Sequence, residues 1–166
     1  ELKIEYMVNL LPNEYKNKVK VVRFNEEGAY KLHFLNKMVL PYIKKHCTKY
    51  FIHLDGDEYI NLNNNYSTID ELLKDYDYPD ILNLNWLLFG SNNKKNNDDE
   101  NNCLIPTYTR CEKNLNNHFK CLINIKIINN NTIYINPHQI YDYNNALEYT
   151  NILKDKFNFN NKKKTL

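Results

Sequence analysis

The strongest chemical feature of the chain is an acidic turn, Asp55-Gly56-Asp57-Glu58, which ends the apolar run Tyr50–Leu54. Two carboxylates one residue apart repel each other unless a cation or solvent screens them, and hard divalent cations take oxygen ligands of this kind. Gly56 lets the backbone turn sharply and lets a ligand come close. The same residues also describe an ordinary acidic surface turn. The apolar run before them favours a ligand site, because a solvated turn does not need one. An EF-hand is excluded, since the glycine is misplaced and no closing glutamate follows.

Further residues bear on the same chemistry. Asp98, Asp99 and Glu100 lie in a polar stretch and are either general-base candidates or a solvated acidic patch. Trp86 reads equally as a stacking platform or a core aromatic. His53, inside the apolar run, is expected to be packed and hydrogen-bonded, and His33 to lie on a helix surface. Cys103, Cys111, His118 and Cys121 fit none of the compact zinc spacings, so the cysteines, Cys47 included, are expected as reduced and mostly buried thiols.

Elements must hold these groups. Lys18–Phe24 reads as a strand. The spacing of Ala29, Leu32, Leu35, Met38, Val39, Tyr42 and Ile43 predicts a helix over Gly28–His46, kinked or ended near Pro41. Tyr50–Leu54 predicts a central parallel strand. Thr68 as N-cap with Glu71 three residues on opens a short helix to Tyr76. Ile81–Phe89 alternates as a strand does, and Ser91–Asn102 is expected as a loop. Cys121–Ile128 and Thr132–Ile135 read as strands, and Ala146–Phe157 as a terminal helix. This order predicts an α/β fold whose sheet becomes mixed near the C-terminus.

A length of 166 residues with 42% apolar content supports one folded domain over 1–166. Asparagine makes up roughly a fifth of the chain and marks an AT-rich genome rather than a functional segment. The net charge of +2, with acids and bases interleaved, gives no case for nucleic acid. The basic run Lys162–Lys164 reads as a solvated tail. No apolar stretch reaches the ~18–20 residues of a membrane span, and no secretory signal is visible.

YFIHLDGDEYI resembles the segment of glycosyltransferase family 92 and related family 2-like enzymes, giant-virus versions included, in which an apolar strand runs into Asp-x-Asp-Glu. Asn85-Trp86-Leu87-Leu88-Phe89-Gly90-Ser91-Asn92 matches that family's Trp, Phe-Gly and small polar residue. Phe119-Lys120 matches a lysine opening a strand, and Pro137-His138 lies near a C-terminal histidine motif. The four follow the family's order over Val19–Tyr141.

The resemblance implies a GT-A-like (Rossmann-like) mixed sheet flanked by helices, a nucleotide-sugar donor such as a UDP-sugar, and a divalent metal, usually Mn2+. Asp55 would lie near the donor ribose or the metal, Asp57 would ligate the cation, Glu58 would support the turn, and His138 would be a second metal ligand. Trp86, Gly90, Ser91 and Lys120 would face donor or acceptor, with Lys120 neutralising a phosphate. Lys31 either reaches toward the donor or is an exposed helix lysine. The expected reaction is inverting transfer of a sugar to a hydroxyl of a protein, lipid or glycan. For a viral source, the place of action would be the host cytoplasm or the virion.

Family members begin with a base-gripping element that Glu1–Leu11 does not display, so the chain is expected to be truncated or reduced there. Two other readings stay open. One is a glycosyltransferase-like binding module without turnover, and the other is a metal-dependent phosphoryl-transfer or nuclease domain.

Overall fold

A computed structural model describes residues 3–22, 31–62, 64–91, 108–114 and 116–157. The chain divides into two compact units, Glu1–Tyr30 and Lys31–Leu166. In the first, α1 (Lys3–Leu10) and the single turn α2 (Asn13–Lys16) are helical. The strand expected over Lys18–Phe24 is not formed in its described part, residues 18–22. Val19, Val21 and Val22 are exposed, and β-branched residues make a strand only where neighbours offer pairing and burial.

In the second unit a continuous helical stretch runs from Lys31 to His46 as α3 (Lys31–Phe34), a π turn (Leu35–Val39) and α4 (Leu40–His46). Pro41 neither ends it nor sits in its last turn. The proline occupies the first turn of α4, and the widened turn before it relaxes the ladder that a proline would otherwise disrupt. Helix α5 (Ile69–Asp75) starts as expected, with Glu71 N donating to Thr68 Oγ1 at 3.1 Å. The Glu71 carboxylate reaches back to the backbone N–H of Ser67 at 2.7 Å, a variant of the capping box shifted by one residue.

The main sheet has five strands in the order β1-β3-β2-β6-β7. They are β1 (Tyr50–Ile52), β2 (Ile81–Asn85), β3 (Phe119–Asn124), β6 (Tyr149–Thr150) and β7 (Lys156–Phe157). Both β1 and β2 pair antiparallel with β3, β2 pairs parallel with β6, and β6 pairs antiparallel with β7. The architecture is therefore mixed α/β with a mixed sheet.

Three expectations are corrected. The Tyr50 strand is an edge strand paired antiparallel, not a central parallel one; its apolar character comes from burial between two clusters. The Cys121 strand begins at Phe119 and ends at Asn124, where the Asn124 side chain caps a 3-10 turn (Ile125–Ile127) by accepting from Lys126 N. The terminal helix over Ala146–Phe157 is replaced by β6 and β7, joined by a turn in which Asn151 Oδ1 accepts from Leu153 N and Asp155 N and Lys154 sits at φ 64.

Strand alternation gives the sheet two buried faces. Ile81, Cys121, Ile123 and Tyr149 join Leu35, Leu40 and Ile43 from the long helix and Tyr134 and Ile140 from a hairpin. Leu82 and Leu122 join Leu72 and Leu73 of α5. The hairpin is β4 (Thr132–Asn136) with β5 (Gln139–Asp142), closing on Pro137-His138. Asn36, in the π turn, acts as an extra strand position for it: Oδ1 accepts from Tyr134 N at 2.7 Å and Nδ2 donates to Tyr134 O at 3.0 Å. Among the described residues, no helix is long and apolar enough to cross a membrane.

Candidate functional site

Because β3 runs antiparallel between β1 and β2, its first residues lie beside the last residues of both neighbours. Lys120 is opposite Leu84 and Phe119 opposite Asn85. The acidic turn after β1, Trp86 after β2, and Lys120 at the start of β3 thus come to one end of the sheet. The hairpin turn adds His138, whose Nδ1 lies 3.0 Å from Phe119 O. A carbonyl only accepts, so this nitrogen carries the proton and Nε2 keeps its lone pair. Cys121 Sγ donates to His138 O at 2.7 Å and fixes the turn from below.

Lys120 is the hub. Its side chain is 3% exposed, and its Nζ lies 2.8 Å from Asp55 Oδ2 and 3.1 Å from Glu58 Oε2. Lys31, the first residue of α3, pairs with the other oxygen, Asp55 Oδ1. Glu58 Oε2 also accepts from Asp55 N at 2.7 Å, and Glu58 N donates to Asp55 O at 3.1 Å, so the turn is closed on itself. Hydrogen bonds from Lys120 and then Lys31 hold the Asp55 carboxyl well below the usual carboxylate range. Burial, then the Lys120 charge, pushes the His138 imidazole down, which favours its neutral form. His53, half-buried with Nδ1 3.2 Å from Pro137 O, is pushed down chiefly by burial as well.

Trp86 forms the wall of the cluster. Lys120 Nζ lies 5.8 Å from its ring centre. His118 stacks on it at 5.2 Å, and His138 meets it edge-on at 5.5 Å. The backbone locks it in place: Trp86 N donates to His118 O, and Trp86 O accepts from Asn116 N. Its indole Nε1 is buried without a hydrogen-bond partner among the described residues, an arrangement that ordinarily costs free energy.

The residues singled out from the sequence separate accordingly. Asp55, Trp86, Lys120 and His138 come together. Asp57 belongs to the same turn but is exposed, with no partner among the described residues. Gly90 and Ser91 lie farther along, exposed; Gly90 N donates to Arg110 O next to the Phe89–Cys111 bridge. Asp98, Asp99 and Glu100 fall outside the described residues. His33 is exposed, as expected for a helix surface. Cys47, Cys111 and Cys121 are free thiols, but only Cys121 is buried; Cys103 lies outside the described residues. Sequence reasoning missed His118 as a cover for Trp86, and its position just before β3 was the available signal.

In kind, the donors suit a hard divalent cation: the Asp57 carboxylate, which has no partner among the described residues, a second carboxylate on Asp55, and the Nε2 lone pair of His138. In the arrangement described, ammonium groups hold Asp55 instead. Among the described residues, no group of three His, Cys, Asp or Glu side chains is placed to share an ion. The two lysines cancel Asp55 and Glu58, so Asp57 carries the excess negative charge of the centre. Set against protein-family models, curated proteins and solved structures, the chain matches none.

Proposed function

We propose that this chain is a glycosyltransferase-like domain, GT-A-like in fold, that moves a sugar from a nucleotide-sugar donor to a hydroxyl acceptor. A divalent cation would be held at the Asp55–Asp57 turn with His138. One observation carries the reading. Residues from four separate segments that resemble one family, Asp55, Trp86, Lys120 and His138, meet at a single end of the sheet. An unrelated acidic turn would not require the other three to be its neighbours.

A cation bound there would screen the donor diphosphate as it leaves. The chain's own residues have distinct tasks. Lys120, buried and shared by two carboxylates, orders the turn rather than reaching a phosphate. Trp86 stands as an aromatic wall beside the turn, and a ring-bearing ligand would stack on it by displacing the exposed His118. Because the lysines already satisfy Asp55, a binding module without turnover is the second reading.

The test is UDP release from a panel of UDP-sugars, with and without Mn2+. The proposal expects slow, Mn2+-dependent donor hydrolysis, abolished in Asp57→Asn with melting unchanged, since that substitution removes a surface charge and no core contact. Donor binding without release would favour the binding module. A folded protein that neither binds nor hydrolyses any donor would overturn both readings.

A further inference from the structure

The opposite end of the Lys31–Leu166 unit carries a different chemistry. Lys49 precedes β1 and the acidic turn follows it, so the two lie a strand's length apart. Three segments meet at the Lys49 end. Ile125 N donates to Lys49 O at 2.8 Å, and Lys44, in the last turn of α4, donates from Nζ to Asn130 Oδ1 at 2.7 Å. Lys44, Lys45, Lys49 and Lys126 are all exposed there. A helix C-terminus favours cations and accounts for Lys44 and Lys45, but Lys49 and Lys126 stand outside that helix. Compensation is thin. Lys49 lies 3.8 Å from Asp70, with both side chains well exposed, and Asp80 is placed nearby, its carbonyl accepting from Asn124 N. Lys44 meets a neutral amide, and among the described residues Lys45 and Lys126 have no carboxylate within ion-pair distance. Four ammonium groups thus face two carboxylates. Beside them Met38 and Tyr42, four residues apart on one helix face, are each 39% exposed. His46 stacks on Tyr42 at 4.3 Å, one turn on.

We infer that this end of the unit is a docking face for an anionic lipid surface. The lysines meet the headgroup charge, and Met38 and Tyr42 enter the headgroup layer beside them. Lysine is a point charge without the planar fork by which arginine grips a phosphodiester or a base edge, and no arginine lies in the patch. Dispersed lysines next to an apolar and aromatic strip suit a surface whose charge is diffuse and whose interior is hydrocarbon. Docked this way, the unit turns the acidic turn and Trp86 away from the lipid. The inference is independent of what that turn binds.

The experiment floats the full chain with vesicles of phosphatidylcholine alone, or with about one-third phosphatidylserine, at low and high salt, with melting curves as the check on folding. Binding is expected to the anionic vesicles only and to fade at high salt. A lysine beside such a surface contributes about fivefold in affinity. Lys45→Glu and Lys126→Glu, each of which removes and then reverses one charge, should therefore weaken binding by roughly 25-fold. Lys113→Glu makes the same charge change on the exposed segment paired with Leu88, at the other end, and should lose less than about threefold. An equal loss in Lys113→Glu would make the attraction one of net charge and overturn the face. A folded wild-type chain that ignores anionic vesicles at low salt overturns it as well. So does binding of a single-stranded oligonucleotide in place of vesicles, which would mark a nucleic-acid surface instead.

Discussion

At the residue scale, the central fact is a lysine buried between carboxylates where the resemblance implied one neutralising a phosphate. Lys120 is tolerated inside because two carboxylates and the Trp86 ring surround it. Its removal would leave Asp55 and Glu58 facing each other with only Lys31 to compensate. Lys120→Met should therefore cost about 2 kcal/mol at neutral pH, less than the ~3–5 kcal/mol of breaking a fully buried pair, because Asp55 stays partly hydrated. The pH dependence has a definite sign. Asp55 is held below its unfolded value of about 3.9, so its pairing stabilises the fold above that pH and is lost as pH falls through the depressed folded value. Urea denaturation between pH 3 and 7 should show a shallower acid loss in Lys120→Met than in the wild type. Parallel curves would mean that the pairing adds nothing. The acidic turn was legible because three carboxylates around a glycine ended an apolar run. The Lys31 pairing was not, since a residue 24 positions away on a helix carries no local mark of its partner.

At the element scale, the long helix and the hairpin are joined by one amide. Asn36 offers the β4 edge the same donor and acceptor that a neighbouring strand would. Asn36→Ala leaves the buried Tyr134 backbone without these partners, and we expect a loss of about 2–3 kcal/mol in urea unfolding. A loss below 0.5 kcal/mol would show that water replaces the amide freely. This clamp was invisible in the sequence, where Asn is common everywhere and its role depends on what faces it. Helix α5 was legible through its Thr68 cap, and the Ile81 strand through its alternation. The C-terminal strands were not. Strands as short as Tyr149–Thr150 and Lys156–Phe157 exist only through pairing with β2 and with each other, and that information is not local. The same applies to the Tyr50 strand: an apolar run reports burial on both faces, but not whether a strand lies at the centre or the edge of the sheet.

At the scale of the Lys31–Leu166 unit, the strand order makes the site. Inserting β3 antiparallel between β1 and β2 carries Lys120 from far along the chain to the turn that follows β1. The hairpin after β3 returns His138 to the same end. A mixed α/β fold could be read in advance, but the meeting point of Asp55, Trp86, Lys120 and His138 depended on a topology that periodicity does not encode. The chain contains a single tryptophan, and Trp86 stands in the cluster, so its emission reports on this site alone. The most direct measurement is therefore Trp86 fluorescence during titration of UDP-sugars with Mn2+ present. A saturable change that disappears in Asp57→Asn and without the cation is expected. An emission spectrum unmoved by millimolar donor, in a chain whose melting shows it folded, would contradict the assignment of this cluster as a donor site.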